Sequence, residues 1–206
     1  MTARDFQTQV ADHATIQRTV EALKARNIDT LVVETGEEAR EKLVQMIPEG
    51  AEVFKSTSET LDSIGYSDYL HQSGLYQDLQ AAIAAESDLT KQRELRRLST
   101  VAEYFIGSVH AIAVTGEVVI ASGSGSQLGA YVYGAKHVIW VASIQKICPT
   151  LTDAIARVRG YALARHDQWL EERGRAAAPI GKLLIFEHEQ AAGRVRMILI
   201  KENLGW

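Results

Sequence analysis

The chain has 206 residues, of which 46% are hydrophobic and 23% are charged. These proportions are typical of globular proteins and argue against a disordered, collagenous or low-complexity chain. The 22 basic and 26 acidic residues give a formal charge of −4, which argues against a general nucleic-acid binder because such proteins carry a basic excess.

The first part of the chain alternates helix and strand patterns. Apolar residues recur three or four positions apart in the helical segments, and β-branched residues cluster in the strand segments. In chain order the pattern predicts a helix over residues 4–26, a strand over 28–33, a helix opened by the capping box 35–38, a strand over 51–54 and a helix opened by the capping box 56–59.

The second part is predicted from the same signals. It comprises short helices over 65–90, a helix over 91–105, strands over 106–114 and 118–121 joined by a tight turn at 115–117, a short helix over 127–133, a strand over 136–142, a long helix from Thr150, and a terminal hairpin of 182–187 and 194–201.

This order of elements predicts one α/β domain over residues 1–206, with an N-terminal helix in 1–27 and a C-terminal β-hairpin appendage in 180–206. An open, mostly parallel sheet with helices on both faces is expected, because its strands are apolar on both sides of the period-2 pattern. Its predicted strands are residues 28–33, 51–54, 106–112, 118–121 and 136–142.

A glycine- and serine-rich loop is the first candidate site. Gly123, Ser124, Gly125, Ser126 and Gln127 follow a predicted strand and lead into a predicted helix, where free backbone N–H groups and hydroxyls suit an anionic group. The loop has neither the glycine spacing of a dinucleotide-binding motif nor the lysine of a phosphate-binding P-loop. An ordinary surface turn is the alternative.

Lys55 and Ser56 form the second candidate, because they stand where a parallel strand ends and a helix begins. We expect them to face the Ser/Gly loop across a crevice and to hold an anionic small-molecule metabolite. The alternative is a plain helix cap, with Ser56 and Glu59 as the capping pair.

Glu117 is the candidate catalytic residue, as a base or a nucleophile, although a solvated hairpin position is the more common role for such a residue. Thr115 and Gly116 beside it are included in the candidate ligand site. No histidine pair has metal-ligand spacing, and no metal site is predicted. The sequence leaves the cofactor open.

Cys148 is the only cysteine, which excludes an intramolecular disulfide. The sequence has no apolar signal core at residues 1–5 and no uncharged apolar run near the roughly 18 residues of a membrane helix. We therefore expect a cytoplasmic protein without a membrane partner. Trp206 and the exposed edge of the terminal hairpin suggest a homodimer, unless that hairpin folds back on its own sheet.

Three segments of the chain resemble the lactate-utilisation (LUD) domain family. They are residues 111–119, residues 137–154 with the run Lys146-Ile147-Cys148-Pro149-Thr150-Leu151-Thr152-Asp153-Ala154, and residues 58–65. The resemblance extends over roughly residues 10–205. It implies a fold similar to ribose-phosphate isomerases and CoA transferases. Many members have an acidic residue where this chain has Val114, so Glu117 is a possible replacement for it.

The resemblance implies a role in the oxidation of L-lactate to pyruvate, alongside iron–sulfur partner proteins. With Cys148 alone the chain would be a cluster-free subunit or an anionic-metabolite-binding component. Two alternatives remain open at this point: a stand-alone enzyme acting on a CoA thioester or sugar phosphate, and a non-catalytic metabolite-binding module.

Overall fold

The computed structural model describes residues 11–206. Residues 4–10 of the predicted first helix lie outside this range. The helices are α1 (His13–Ala25), α2 (Gly36–Gln45), α3 (Glu59–Ser63), α4 (Tyr66–Gln72), α5 (Leu79–Ala85), α6 (Leu89–Leu98), α7 (Ser126–Gly129), α8 (Leu151–Arg157) and α9 (Leu163–Glu171). The strands are β1 (Ile28–Val33), β2 (Glu52–Lys55), β3 (Gln77–Asp78), β4 (Tyr104–Gly107), β5 (Ala111–Ala113), β6 (Val118–Ser122), β7 (His137–Ser143), β8 (Ile147–Cys148), β9 (Lys182–Phe186) and β10 (Val195–Ile200).

The main sheet has six strands in the order β1-β10-β7-β4-β2-β3, and every neighbouring pair is parallel. Its central strands are buried on both faces, as parallel strands between two covering layers must be. β7, for example, is buried from Val138 to Ser143. The predicted fold class, an open and mostly parallel α/β sheet with an N-terminal helix, is confirmed.

The two faces of this sheet enter different apolar clusters. Val138 and Trp140 of β7 pack with α1 and with residues of β5 and β6. Ile139 and Val141, which alternate with them, pack with α2, α3 and α4. Helices therefore cover one face, whereas the other face is covered jointly by α1 and a second sheet.

The second sheet was not predicted as a separate unit. It has four strands in the order β8-β5-β6-β9. Residues 118–121 were predicted in the main sheet but lie here, because the tight turn at 115–117 makes β6 antiparallel to β5. The predicted strand 106–114 is likewise divided between the two sheets, with β4 in the first and β5 in the second.

The predicted C-terminal hairpin is wrong, although both of its strands exist. β9 pairs antiparallel with β6, and β10 lies between β1 and β7 in the main sheet. The segment between them passes from one sheet to the other and is fixed by Glu189, which accepts hydrogen bonds from Arg194 (2.5 Å) and, through its carbonyl, from Asn27 (2.8 Å). Because β10 is central, residues 180–206 are no appendage, and the hairpin edge proposed for dimerisation does not exist.

The outer face of the second sheet packs against α8 and the π-helical turn Val158–Ala162 that continues it into α9. The same turn and α9 line a cavity with Val158, Ala162 and Leu163. Within residues 11–206, no helix has both the length and the apolarity needed to cross a membrane.

Candidate functional site

A cavity of about 210 Å³ opens beyond the carboxyl ends of β2 and β4, the region where open α/β sheets bind ligands. Its polar side is formed by the segments that follow these strands, residues 56–60 and 108–110, together with Lys146 and the end of β6. Its apolar side comes from α9, the loop 178–180 and Trp206.

Lys146 is the main charged group of this cavity. It follows β7 in a short 3₁₀ turn, and only 2% of it is exposed. Its Nζ donates hydrogen bonds to Thr60 Oγ1 (3.0 Å) and Ser108 Oγ (3.1 Å). No carboxylate of residues 11–206 forms an ion pair with it. Burial, and after it the charge of Arg157, lowers the pKa of Lys146 well below 10.5.

Arg157 adds a second buried cation next to the cavity. Its side chain is fully buried, its Nη1 donates to the His110 carbonyl at 2.5 Å, and its guanidinium lies 4.9 Å from the ring centre of Tyr161. Its Nε and Nη2 make no hydrogen bond within the described part of the chain. Arg157, and Lys146 whenever it is protonated, have no acidic partner within residues 11–206. The local field is therefore positive and favours an anion in the adjoining cavity.

His110 lines the same cavity as a neutral imidazole. Its Nδ1 accepts a hydrogen bond from the Ala121 N–H at 3.2 Å, so the proton of the neutral ring is assigned to Nε2. Burial, followed by the charges of Lys146 and Arg157, lowers the pKa of His110 to about 3. The ring can therefore donate a hydrogen bond to a ligand but carries no charge at neutral pH.

Three predicted ligand residues lie in the cavity wall: Ser56, Gly123 and Gln127. Ser56 is not the helix cap that the alternative assigned to it, since Ser58 caps α3 by accepting from the Leu61 N–H. Ser56 Oγ instead lies 3.5 Å from the Tyr131 hydroxyl. Ligand binding by these residues stays a prediction.

The other loop and lysine positions lie outside the cavity lining. Lys55 is buried and forms an ion pair with Asp62 at 3.0 Å. Ser124 and Ser126 hydrogen-bond each other at 3.1 Å, and the Gly125 N–H donates to Ser122 at 2.9 Å. The Ser/Gly loop thus uses much of its hydrogen-bonding capacity on itself.

Glu117, Thr115 and Gly116 lie in the β5–β6 turn, outside the cavity lining. Arg26 of the segment after α1 binds the Glu117 carboxylate (2.6 Å) and the Thr115 carbonyl (2.9 Å). Burial raises the pKa of Glu117, but hydrogen bonds and the charge of Arg26 outweigh it and leave the pKa below 4.5. Gly116 approaches the backbone of Ala22, where a Cβ would lie 2.9 Å away. This cluster joins α1 to the second sheet.

Sequence reasoning missed Lys146, Ser108 and Thr60 as site residues. A usable signal was present, because Lys146 interrupts the apolar run that extends from β7 to β8, and lysine is seldom buried without a partner. Cys148, two residues later, is buried, which raises the pKa of its thiol to about 12. It is therefore a protonated packing residue rather than a nucleophile.

Comparison with known proteins finds one family and several solved structures similar to this chain. The family model for the LUD domain matches residues 16–201. A crystal structure of a DUF162 family protein from Deinococcus radiodurans superimposes with a TM-score of 0.55 at 11% identity, covering 93% of this chain and 98% of that one. The β subunit of eIF2B from Chaetomium thermophilum gives a TM-score of 0.36 at 14% identity, with 57% and 44% covered. No curated protein matches the sequence.

Proposed function

Since the chain belongs to the LUD domain family, we propose that it is a cluster-free component of lactate utilisation that binds a small anionic metabolite in the cavity around Lys146. The family match supports a lactate-related role in general terms. The specific part in L-lactate oxidation, and the identity of the ligand, are the content of the proposal.

The observation that carries the proposal is the unpaired burial of Lys146. A buried ammonium group is costly unless an opposite charge lies beside it. Here its hydrogen-bond partners are the neutral hydroxyls of Thr60 and Ser108, and the nearby Arg157 adds more positive charge. A bound carboxylate would supply the missing counter-charge and restore the pKa of Lys146 towards its usual range.

The remaining wall fits a ligand that has a polar end and an apolar body. Hydroxyl groups of Ser56, Ser58 and Ser122 lie on the polar side, and Ile180 and Trp169 lie on the apolar side. Glu59 also lines the cavity, which disfavours ligands with several negative charges. A small hydroxy or oxo monocarboxylate meets these requirements better than a free polyphosphate does.

Calorimetric titration and a thermal-shift screen with lactate, pyruvate, CoA esters and sugar phosphates test the proposal. A ligand at a hundred times its dissociation constant stabilises the fold by about 2.7 kcal/mol. Lys146→Met is expected to weaken monocarboxylate binding roughly tenfold or more, because it removes a charge-assisted contact. Lys55→Met is the matched control, since Lys55 is also buried but is paired with Asp62. Loss of affinity in the control alone would favour the site predicted from sequence.

A stand-alone enzyme is the second candidate. It is supported by two ionisable groups with lowered pKa values, Lys146 and His110, in one cavity. Turnover of a CoA thioester or sugar phosphate by the isolated chain would favour it, whereas lactate oxidation that appears only with iron–sulfur partner proteins would favour the subunit role. Saturable binding without either would leave a metabolite-binding module.

A further inference from the structure

The neutral amine of Lys146 has a free lone pair, which anion binding does not use. A neutral amine has two N–H bonds and one lone pair. The oxygens of Thr60 and Ser108, at 3.0 and 3.1 Å from Nζ, are sufficient to accept both N–H bonds, and they are its hydrogen-bond partners within residues 11–206. The lone pair then has no partner in the described part of the chain, and Lys146 forms part of the cavity wall.

The surroundings of Lys146 favour its neutral amine, which is the form that can act as a nucleophile. Only the unprotonated amine attacks a carbonyl carbon, and lysines become nucleophilic when they are desolvated or lie beside another cation. Lys146 meets both conditions, since it is buried and its pKa is lowered by burial and by Arg157. An acidic partner would oppose this by stabilising the ammonium form, and the described residues provide none within ion-pair distance of Lys146.

We propose that Lys146 forms a reversible imine with the carbonyl group of a small 2-oxo acid bound in the cavity. This deepens the proposed function and rests on it, because the same cavity and the same class of monocarboxylate are involved. Lactate, which has a hydroxyl in place of the carbonyl, would bind without this bond.

The step is balanced without any further reactant. Nζ attacks the carbonyl carbon, and the C=O π electrons move to oxygen. One proton passes from nitrogen to this oxygen and gives a carbinolamine. The second N–H proton then leaves with the hydroxyl group as water while the C=N bond forms. Ser108 and Thr60 hold the two N–H bonds before attack and lie in position to relay these protons, as positioning residues.

The cavity also provides for the carboxylate that accompanies the carbonyl. Ser56 and Ser122 contribute hydroxyl groups to its polar side, and His110 contributes the Nε2–H of a neutral ring. A neutral histidine leaves the cationic field of Arg157 as the electrostatic attraction for the carboxylate once Lys146 has lost its proton. Because Arg157 keeps its positive charge, the carboxylate of the ligand can stay bound while Lys146 acts as a neutral nucleophile.

The test is reductive trapping of the full chain with pyruvate and sodium cyanoborohydride, read by intact mass and peptide mapping. The expected result is one adduct, pyruvic acid less one oxygen atom, confined to the peptide that contains Lys146. Its amount should saturate with pyruvate and fall when excess lactate competes. Lys146→Arg keeps a long basic side chain but has no nucleophilic amine, so it should abolish the adduct. Lys55→Arg, which keeps the ion pair to Asp62, should retain it.

Three outcomes would overturn the inference. They are an adduct spread over exposed lysines, an undiminished adduct in Lys146→Arg, and pyruvate binding in the calorimeter without trapping. The last of these would leave the proposed function standing, whereas absence of both binding and trapping for every monocarboxylate would refute the two together. Peptide mapping of the wild-type chain settles the attachment site even where a variant does not fold.

Discussion

Gly107, the last residue of β4, leaves room for the ring of Tyr131, whose hydroxyl lies 3.5 Å from Ser56 in the cavity wall. A Cβ at this position would lie 1.8 Å from Tyr131 Oη, 2.9 Å from Tyr131 Cζ and 2.8 Å from Ser56 Oγ. The ring cannot simply withdraw, because it makes edge-on contacts with Phe105 at 5.4 Å and Trp140 at 5.5 Å and is fully buried. Gly107→Ala is therefore expected to lower the free energy of unfolding by about 1–3 kcal/mol.

A second substitution separates this steric effect from a general effect of alanine. Tyr131→Phe removes the atom at 1.8 Å but leaves the ring carbon at 2.9 Å. By itself it loses two hydrogen bonds at the 3.5 Å limit, to Ser56 Oγ and to the Ser108 carbonyl, which together contribute about 1 kcal/mol. The double variant should therefore be more stable than the sum of the single changes predicts, by roughly 1 kcal/mol.

Urea denaturation at pH 7 measures all of these values. Gly123→Ala is the control, because a Cβ there meets nothing within 4 Å. The reasoning is refuted if Gly107→Ala remains within about 0.5 kcal/mol of the wild-type protein, the range typical of neutral surface changes, or if the two changes are simply additive.

Three further predictions concern other parts of the structure. Because folding lowers the pKa of His110 to about 3, the unfolded chain takes up a proton below about pH 6.5 that the folded chain does not. The free energy of unfolding should therefore decrease as the pH is lowered, by up to about 1.4 kcal/mol per pH unit. His110→Asn, which keeps an acceptor for the Ala121 N–H, should reduce this dependence in denaturation series at pH 7, 5 and 4. Gly125→Ala should cost about 1 kcal/mol in thermal unfolding, because Gly125 has φ +89°, and a cost no larger than that of Gly123→Ala would contradict this. Arg26→Ala should lower the free energy of unfolding in urea by about 1–3 kcal/mol, because it removes the half-buried contacts between α1 and the β5–β6 turn. Lys136→Ala, at an exposed ion pair, should lower it by less than about 1 kcal/mol. Equal losses of stability in the two variants would contradict this role of Arg26.

The sequence predicted some residues of the cavity wall but not the lysine that faces the cavity. That polar residues after strands gather at one edge follows from parallel topology, and Ser56 and Ser108, after the parallel strands β2 and β4, do lie in one cavity wall. Gly123 reaches the same wall by a different route, at the end of β6 in the second sheet. Which lysine faces the cavity did not follow, because Lys55 stands at the end of one strand and Lys146 comes shortly after another. Asp62, one helix turn into α3, pairs with Lys55, while the partners of Lys146 among residues 11–206 are hydroxyl groups.

Local elements of this protein were determined by the sequence itself. The periods of apolar residues, the turn at Gly116 and the cap at Thr35 act over a few neighbouring positions, so each can be predicted from a short window. Strand order cannot, because it depends on pairing between distant residues: β10 pairs with β1 more than 160 positions away in the chain. Its sequence, apolar on both faces, satisfied a terminal hairpin and a central strand equally well, and only the tertiary structure decided between them. The same holds for Lys146, since the charge that a buried group faces is set by the elements packed around it and not by its neighbours in sequence.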